Sequence, residues 1–539
     1  MEAKLRASQV SPPISKWSRS ACVIALVALL AAACSSGSGN TTAGPKAGGT
    51  VSVRITSDWD SLDPHNSVTF IAGQIESSFY DTLIHYVPAQ NKFEPYIATS
   101  WTETPGAMNF TLRSDVKCSD GTPLTAQVVA DSFKRYYSFI GKNTGIAQRF
   151  GKGTFTETAA DATHLTITWT SGYTGMAQAF ALALIVCPAG LATGADFQHN
   201  SYGSGPFVLT EATHGVGVTA KVHQGWNWGP NGSTFDAPGF PDTLVFKIVS
   251  NDTTAANEVT TGDLGITDVS GVDIDRMTAN KALNLVTLHS NGVQPISFNE
   301  EPGHATSDET LRSALMTSID QKAYQIADSA GHGVISTSIF TKDTPCYSTT
   351  SKGLLPAYSM DKAKSILSSG GYTLSGGKLM KDGKQVSLTI IGSTGENAGP
   401  EYLRSQFAQL GINVDLQVTD FTSMVQKLFP GKFDVVVVQT RFTGSPQVWI
   451  ANYLGAAPTN GGSNWGRNIN PEANQAAEDA KSAAPDAKCK AYQTVQDSLL
   501  KHHDSLPAFA PQVYWFGKDI KFQLGSLYAV DPTTIRRTK

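Results

Sequence analysis

The sequence predicts a mixed α/β protein with more than one domain, and three observations predict it. Val435–Val438 is an unbroken run of valines, which indicates a strand that is covered on both faces. Thr50–Ile55 alternates with a period of two after a Gly-Gly start, as a half-buried strand does. Beyond about residue 300, helical and strand-like patterns alternate, and 539 residues are too many for one ordinary core.

The first half of the chain consists mostly of strand-like segments. Phe110–Leu112, Leu165–Trp169 and Phe207–Val222 are rich in β-forming residues and are separated by Gly, Asp and Asn turns. Thr125–Phe139 has a helical pattern and follows the turn sequence Ser119–Pro123. This half is therefore predicted to be a β-rich α+β body.

The second half predicts helices that alternate with strands. Apolar residues recur at helical spacing on two faces, formed by Leu311, Leu315 and Ile319 and by Leu403, Phe407 and Leu410. Val414–Val418 alternates like a strand, and a helix containing Met424–Leu428 leads into the valine run, an order that predicts a βαβ unit. Because open α/β sheets bind ligands beyond the carboxyl ends of their strands, Gln439–Trp449 is a candidate binding edge.

The first 47 residues predict an export signal followed by a tether. A basic leader precedes the apolar segment Ala21–Ala33, which is too short for a mature transmembrane helix, and Cys34 follows at once. Residues 1–33 resemble a bacterial lipoprotein signal peptide, which implies that Cys34 is diacylated and becomes the mature N-terminus. The alternative is an ordinary cleaved signal with a chance cysteine. Residues 34–47 are rich in Gly, Ser and Thr and predict a flexible tether, so the mature chain is expected outside the cytoplasmic membrane.

The low charge and the absence of complete catalytic motifs favour a binding protein over an enzyme. Only 16% of the residues are charged and the formal net charge is -4, which gives no electrostatic reason to expect nucleic acid as a partner. Ser114–Lys117 matches S-x-x-K, but the companion motifs of penicillin-binding enzymes are absent. His502, His503 and Asp504 could suggest a metal, but adjacent helical residues point about 100° apart. No catalytic residue, cofactor or metal is predicted.

A series of motifs in the same order carries a family resemblance. The segments are Gly48–Ser67, Ser77–Tyr86, Pro95–Trp101, Phe110–Arg135, Gly203–Leu209, Leu311–Tyr324, Met360–Tyr372 and Leu403–Leu416. Together they resemble family 5 of the bacterial extracellular solute-binding proteins, the peptide/nickel-binding lipoprotein components of ABC importers. The resemblance covers nearly all of the mature chain.

The resemblance implies a two-lobed periplasmic-binding-protein-like fold of type II. Lobe I would comprise residues 48–290, with an inserted subdomain at about 85–200, and residues 500–539 would return to it. Lobe II would comprise residues 291–499. The expected protein is a monomer, not an enzyme, that closes over a peptide or peptide-like solute and delivers it to an ABC permease and its ATPase.

The resemblance also implies ligand-binding residues. In peptide-binding members the ligand is held as an added strand, and the pairing segments match Val68, Thr69 and Phe70 in lobe I and Val438, Gln439 and Thr440 in lobe II. Aromatic and polar side chains are expected in the same site: Phe70, Arg441, Phe442, Trp449, Asn464 and Trp465.

One position departs from the pattern of peptide binders. Where they commonly have an aspartate for the α-ammonium group of the ligand, this chain has Phe442, with Arg441 beside it. An apolar ring cannot replace a charge-assisted hydrogen bond. A longer or blocked peptide, a glycoconjugate or another amphiphilic solute is therefore expected rather than a free dipeptide. The alternatives are a sugar or metal chelate on the same fold, or a lipoprotein of envelope assembly or signalling.

Four cysteines remain after the leader and the lipidated residue: Cys118, Cys187, Cys346 and Cys489. An even number in an exported protein favours disulfides, and four cysteines allow three pairings. We expect Cys118 to pair with Cys187 and Cys346 with Cys489, because each pair then falls inside one lobe. Their spacing is unlike that of metal ligands.

Overall fold

The structure of the protein, a computed structural model, describes residues 46–104, 106–139, 149–150, 153–170, 176–394, 398–438 and 446–539. Cys34 and the predicted signal peptide lie outside these residues, as do Gln439, Thr440, Arg441 and Phe442. Within the described part of the chain, no helix has both the length and the apolar character that crossing a membrane requires.

The strands follow one another along the chain and are numbered in that order. Those in the first half are β1 (Thr50–Ile55), β2 (Ile84–Val87), β3 (Lys92–Pro95), β4 (Ala98–Thr104), β5 (Ala107–Leu112), β6 (Phe155–Ala159), β7 (His164–Trp169), β8 (Phe207–Thr213), β9 (Gly217–Val222), β10 (Thr243–Ile248), β11 (Ile266–Asp268) and β12 (Leu283–His289). Those in the second half are β13 (Gln294–Phe298), β14 (Val334–Ile335), β15 (Thr373–Ser375), β16 (Lys378–Lys381), β17 (Lys384–Gln385), β18 (Ser387–Ser393), β19 (Asn413–Thr419), β20 (Val435–Val437), β21 (Ser505–Ala510), β22 (Gln512–Lys518), β23 (Ile520–Lys521) and β24 (Arg536–Arg537).

The helices are numbered in the same way. Those in the first half are α1 (Phe70–Glu76), α2 (Ala126–Tyr137), α3 (Ala177–Phe180), α4 (Pro188–Leu191), α5 (Asp252–Thr261) and α6 (Ile274–Ala279). Those in the second half are α7 (Glu309–Thr317), α8 (Gln321–Ser329), α9 (Met360–Ser369), α10 (Gly399–Ala408), α11 (Phe421–Leu428), α12 (Pro446–Ile450), α13 (Pro471–Ser482) and α14 (Pro485–Lys501).

Two large mixed sheets organise the protein. The first sheet has the strand order β12-β22-β11-β1-β10-β9-β8, and the second has the order β14-β21-β13-β20-β18-β19. We call the body around the first sheet lobe I and the body around the second sheet lobe II. A four-stranded antiparallel sheet, β4-β5-β7-β6, packs with α2 in the same hydrophobic core as lobe I. The prediction of a mixed α/β protein is confirmed.

The valine run forms the buried strand β20, as predicted. It pairs in parallel with β18 and antiparallel with β13, so it lies inside the second sheet. Val435 and Val437 belong to one hydrophobic cluster, and Val436 and Val438 belong to another on the opposite face. Alternate side chains therefore enter two different cores, which explains the absence of polar alternation.

The predicted βαβ unit is present, with one strand between its ends. β19, α11 and β20 follow one another along the chain, but β18 lies between β19 and β20 and is parallel to both. Asp420 caps α11, since its side chain accepts a hydrogen bond from the backbone N–H of Ser423 at 3.0 Å. This cap fixes the start of the helix at the carboxyl end of β19.

The chain passes between the sheets at two adjacent places. One passage is from β12 to β13, and the other is the single residue Pro511 between β21 and β22. The backbone N–H of Ser290 donates to the carbonyl of Pro511 at 2.9 Å, which joins the two connections. Because β21 pairs with β13 and β14 in the second sheet, the return to the first sheet begins at β22 rather than at about residue 500.

Two disulfides link the cysteine pairs that the sequence analysis favours. Cys118 is bonded to Cys187, and Cys346 is bonded to Cys489. The first bond joins the turn after β5 to the start of α4. The second ties the segment after β14 to α14. Each bond therefore closes a long loop in the unfolded chain.

Candidate functional site

A cavity of about 350 Å³ has walls from both sheets. Its volume lies near the lower end of the range for small-molecule sites. On the side of lobe I it is lined by the loop before α1, by α1 itself and by the segment from 525 to 533. On the side of lobe II it is lined by Ser393, Thr394, Asp420, Phe421, Val438 and Trp465.

Strand ends bring these residues together. Thr56 and Ser57 directly follow β1, Ser393 ends β18, and Val438 directly follows β20. The carboxyl ends of these three strands therefore meet the same cavity, which is where an open α/β sheet exposes its loops. The end of the valine strand meets this cavity at Val438, while residues 439–445 of the predicted binding edge lie outside the described residues.

The loop before α1 is held by the carboxylate of Asp60. This carboxylate accepts hydrogen bonds from the backbone N–H of Val68 at 2.7 Å and of Thr69 at 3.4 Å. Thr69 caps α1, with its hydroxyl oxygen accepting from the N–H of Ala72, and its carbonyl accepts from Gly73. These hydrogen bonds within the chain define the conformation of the loop.

This loop departs from the expected pairing with a ligand strand. Val68, Thr69 and Phe70 all line the cavity, and their contact with a ligand stays a prediction. However, the N–H groups of Val68 and Thr69 are already donated to Asp60, so they are not available to an added strand.

Arg54 lies near the end of β1 in the cavity wall, and its positive charge is neutralised by its neighbours. Its guanidinium donates to Asp252 at 2.6 Å, to the carbonyl of Asp268 at 2.8 Å and to the carbonyl of Val249 at 2.7 Å. The side chain is only 1% exposed. A buried arginine with these partners stabilises the joint between β1, β10 and β11, and it offers little charge to a solute.

The aromatic residues in the described wall include Phe70, Tyr80 and Tyr96 from lobe I and Phe421 and Trp465 from lobe II. Trp465 packs against the cluster that contains Val436 and Val438. Its indole Nε1 is buried and has no hydrogen-bond acceptor among the described residues. Trp465 lines the cavity, and its predicted role in binding a ligand stays a prediction.

Trp449 and Asn464 correct the sequence-based site, because neither lines the cavity. Trp449 is buried in the core around α13 and α14, where it packs against Tyr453 and its Nε1 donates to the carbonyl of Ile339. Asn464 donates to the carbonyl of Asn468 at 2.8 Å and accepts from its N–H at 3.1 Å. Both side chains are satisfied inside lobe II, so their roles are structural.

Glu76 and Arg149 line the cavity, and the sequence analysis did not find them. Glu76 ends α1 and is 1% exposed, and Arg149 donates to the hydroxyl of Tyr136 at 2.9 Å. One signal was available for Glu76, since it is the only Asp, Glu, Lys or Arg between Asp63 and Asp81. A single charged residue in a helix that is otherwise uncharged indicates a buried or functional position.

The described residues contain no metal-binding cluster. No group of three or more His, Cys, Asp or Glu side chains in the described ranges is placed to hold a metal ion.

Curated relatives resemble the chain over most of its length. It is 24% identical over 413 residues to the nickel-binding periplasmic protein of Escherichia coli K12, which covers 72% of this chain and 75% of that protein. It is also 24% identical over 306 residues to the oligopeptide-binding protein AppA of Bacillus subtilis, with 53% of each chain covered.

Solved structures share the fold. A substrate binding protein from Microbacterium hydrocarbonoxydans, complexed with 4-hydroxybenzoate hydrazide, has a TM-score of 0.77 and 25% identity over 91% of this chain and 100% of its own. AppA from Bacillus subtilis, in complex with a nonapeptide, has a TM-score of 0.78 and 19% identity over 92% of this chain and 100% of its own. The two-lobed periplasmic-binding-protein fold is thereby confirmed.

The family assignment rests on a match through the middle of the chain. Residues 92–461 match the model described as the middle part of the bacterial extracellular solute-binding proteins of family 5. That segment is more than half of the 539 residues. It includes the small four-stranded sheet, most of lobe I and most of lobe II. The chain therefore belongs to the bacterial extracellular solute-binding proteins, family 5.

Proposed function

We propose that the protein is the lipid-anchored, extracytoplasmic receptor of an ABC importer and binds a peptide or peptide-like solute between its lobes. The observation that carries the proposal is the cavity of about 350 Å³, whose walls come from the strand ends of both sheets. A solute that touches both walls stabilises the closed arrangement of the lobes, and closure can then be recognised by a permease.

The chemistry of the cavity supports a small amphiphilic solute. Phe70, Phe421 and Trp465 supply apolar surface, while Ser67, Ser77 and Ser393 supply hydroxyl groups. The combination suits a ligand with both apolar and hydrogen-bonding parts. AppA, which has the same fold, was crystallised with a nonapeptide, and this supports a peptide-like solute here.

Anchoring is proposed from the sequence of the leader. The basic start, the apolar segment and Cys34 suit lipidation, and the Gly-rich residues 34–47 would let the folded part move near the membrane. The nickel-binding periplasmic protein is a relative, which supports a location outside the cytoplasm. The proposed importer role implies that the protein releases its solute to a permease that works with an ATPase.

A non-peptide solute is the second candidate, and one observation favours it. The N–H groups of Val68 and Thr69 are donated to Asp60, so lobe I does not present them to a peptide backbone. A solute that is recognised through its side groups does not need free backbone N–H groups on lobe I. Strand addition would require this loop to exchange its hydrogen bonds with the ligand.

A matched pair of valine variants tests whether the cavity is the binding site. Val68 and Val216 are both exposed valines of lobe I, but only Val68 lines the cavity. Val68→Arg should weaken solute binding at least about tenfold because the long cationic side chain fills the cavity. Val216→Arg adds the same charge at a hairpin turn and should leave affinity unchanged.

Calorimetry with a peptide mixture, and with the solute that co-purifies as identified by mass spectrometry, gives the affinities. Equal affinity of the Val68→Arg variant and the wild-type protein would exclude this cavity as the site. Binding of the co-purified solute without any binding of peptides would overturn the peptide assignment and retain the receptor.

A further inference from the structure

The carboxyl group of Glu76 is buried in the cavity wall and only half satisfied. Glu76 is the last residue of α1 and is 1% exposed. The hydroxyl of Ser67 donates to Oε2 at 2.9 Å. Oε1 is buried and has no donor among the described residues. An acceptor of this kind is costly unless a hydrogen-bond donor reaches it.

The charges near Glu76 make its surroundings acidic. Burial raises the pKa of Glu76 well above its ordinary value, and the hydrogen bond from Ser67 opposes this shift. Asp60 and Asp63 raise the pKa further, and each has a larger effect than the opposing charge of Arg149. The field at Glu76 is therefore dominated by carboxylates, and it attracts a positive charge.

The neighbouring charges differ in how they are paired. Asp63 is bound by Arg135 through two hydrogen bonds of 2.9 and 2.6 Å. Asp60 accepts hydrogen bonds from the loop, namely from the backbone of Val68 and Thr69 and from the hydroxyl of Thr69. These donors are neutral, so they leave the negative charge of Asp60 uncompensated. A cation that reaches Glu76 also interacts favourably with Asp60.

Arg149 does not act as the missing partner of Glu76. Its Nη1 donates to the hydroxyl of Tyr136 at 2.9 Å and to the carbonyl of Leu182 at 3.4 Å. Among the described residues, Ser67 is the hydrogen-bond partner of the Glu76 carboxyl group and Arg149 is not, although Glu76 and Arg149 both line the cavity. Arg149 therefore weakens the negative field without satisfying Oε1.

We propose that Glu76 is the subsite for a cationic nitrogen of the solute, either an ammonium or a guanidinium group. The proposal rests on the cavity being the solute site. The donor would approach Oε1, complete the hydrogen bonding of the carboxylate and supply the opposite charge that its burial requires. Discrimination then arises because a neutral isostere leaves a buried carboxyl group without a matching partner.

Matched probes separate charge from shape and do not depend on the solute being a peptide. n-Butylguanidinium and n-butylurea have nearly the same shape, but only the first is cationic. Two blocked tripeptides, one with arginine and one with citrulline, make the same comparison in a peptide. Trialanine amide with a free or an acetylated N-terminus tests the α-ammonium group as the source of the cation.

The wild-type protein should prefer the cationic member of at least one pair by about tenfold or more in calorimetry or ligand-detected NMR. Glu76→Gln should reduce that preference to about twofold or less and leave the neutral member almost unaffected. Glu211→Gln removes an equal charge from an exposed position of β8 and should keep the wild-type preference. Arg149→Gln should increase the preference, since it removes the opposing charge.

Three results separate this proposal from the proposed function. A preference that persists in Glu76→Gln, or no discrimination in any pair that binds the wild-type protein, overturns the cation subsite while the receptor stands. If no peptide binds but the protein prefers n-butylguanidinium over n-butylurea and this preference depends on Glu76, the peptide assignment is overturned and the subsite is supported. If Glu76→Gln fails to fold, an unchanged preference in Arg149→Gln overturns the subsite.

Discussion

The hydroxyl of Thr422 donates a hydrogen bond to the backbone carbonyl of Asp58 at 3.3 Å, between residues 364 positions apart in the sequence. Thr422 lies in the first turn of α11 in lobe II, and Asp58 lies in the segment after β1 in lobe I. Their neighbours Phe421 and Ser57 line the cavity. This bond therefore joins the two lobes beside the cavity.

Thr422→Val is expected to destabilise the closed arrangement. The substitution keeps the β-branched shape and removes the donor, and one hydrogen bond contributes about 0.5–1.5 kcal/mol. Solute should dissociate about two- to tenfold faster, because opening precedes release. Stopped-flow tryptophan fluorescence measures the rate. Thr422→Ser retains the hydroxyl and should behave like the wild-type protein, whereas equal rates in all three proteins would show that the bond does not stabilise closure.

Sequence patterns predicted the elements that local periodicity determines. Thr125–Phe139 was expected to be helical, and α2 covers Ala126–Tyr137, with Thr125 as its cap. Leu311 and Leu315 lie buried on α7, and Leu403 and Phe407 lie buried on α10. In each case one apolar face had to enter a core, so the spacing alone identified the helix.

The same patterns could not predict the site in full. Trp449 is an aromatic residue at the end of the predicted binding edge, but its side chain is buried in the core around α13 and α14. The isolated charge of Glu76 is visible in the sequence, but its place in the cavity wall depends on how α1 packs within lobe I. The Asp60 carboxylate blocks two N–H groups of its own loop, and this contact depends on how the loop folds back.

The carboxylate of Asp81 organises a buried part of lobe I, and this permits a matched test. It accepts hydrogen bonds from the hydroxyl of Tyr96, from Ser204 at 2.8 Å and from the indole of Trp228 at 3.0 Å. Trp228→Phe removes one of these donors. Trp226→Phe makes the same change at a buried indole whose Nε1 has no acceptor among the described residues.

Both tryptophan variants should lose stability through lost packing, but Trp228→Phe should lose about 1–3 kcal/mol more, because it also removes a hydrogen bond to a buried carboxylate. Urea denaturation measures the free energy of unfolding. Burial raises the pKa of Asp81 to about 6, and the hydrogen bonds oppose that rise, so Trp228→Phe should raise it further. Equal destabilisation by the two variants would contradict the role of Asp81.

Loss of the disulfide between Cys118 and Cys187 should destabilise the protein. The bond spans 69 residues, and cross-links of this kind contribute about 2–4 kcal/mol, mainly by restricting the unfolded chain. Guanidinium denaturation of the Cys118→Ala, Cys187→Ala double variant should show this loss under oxidising conditions. The control is Cys346→Ala with Cys489→Ala, which leaves the first bond intact. If the first variant matches the wild-type protein without reductant, the bond has no stabilising effect.

His65 should make the folded state sensitive to mild acid. Burial, with a further contribution from the charge of Arg135, lowers the pKa of His65 from 6.5 to about 3, and its Nε2–H donates to the carbonyl of Leu184 at 3.2 Å. Because the folded pKa is depressed, the unfolded chain binds the proton more tightly. The stabilising contribution is therefore present above about pH 6.5 and is lost as the pH falls towards 3.

His65→Gln should remove this pH dependence, since its amide can still donate to Leu184 but does not titrate. Between pH 6.5 and pH 5 the wild-type protein should lose about 2 kcal/mol more free energy of unfolding than the variant, from the linkage relation for a single group. Denaturant unfolding at both pH values measures the difference. Asp63 also raises the pKa of His65, and it is itself bound by Arg135. Parallel losses in the two proteins would mean that His65 is not the group that titrates.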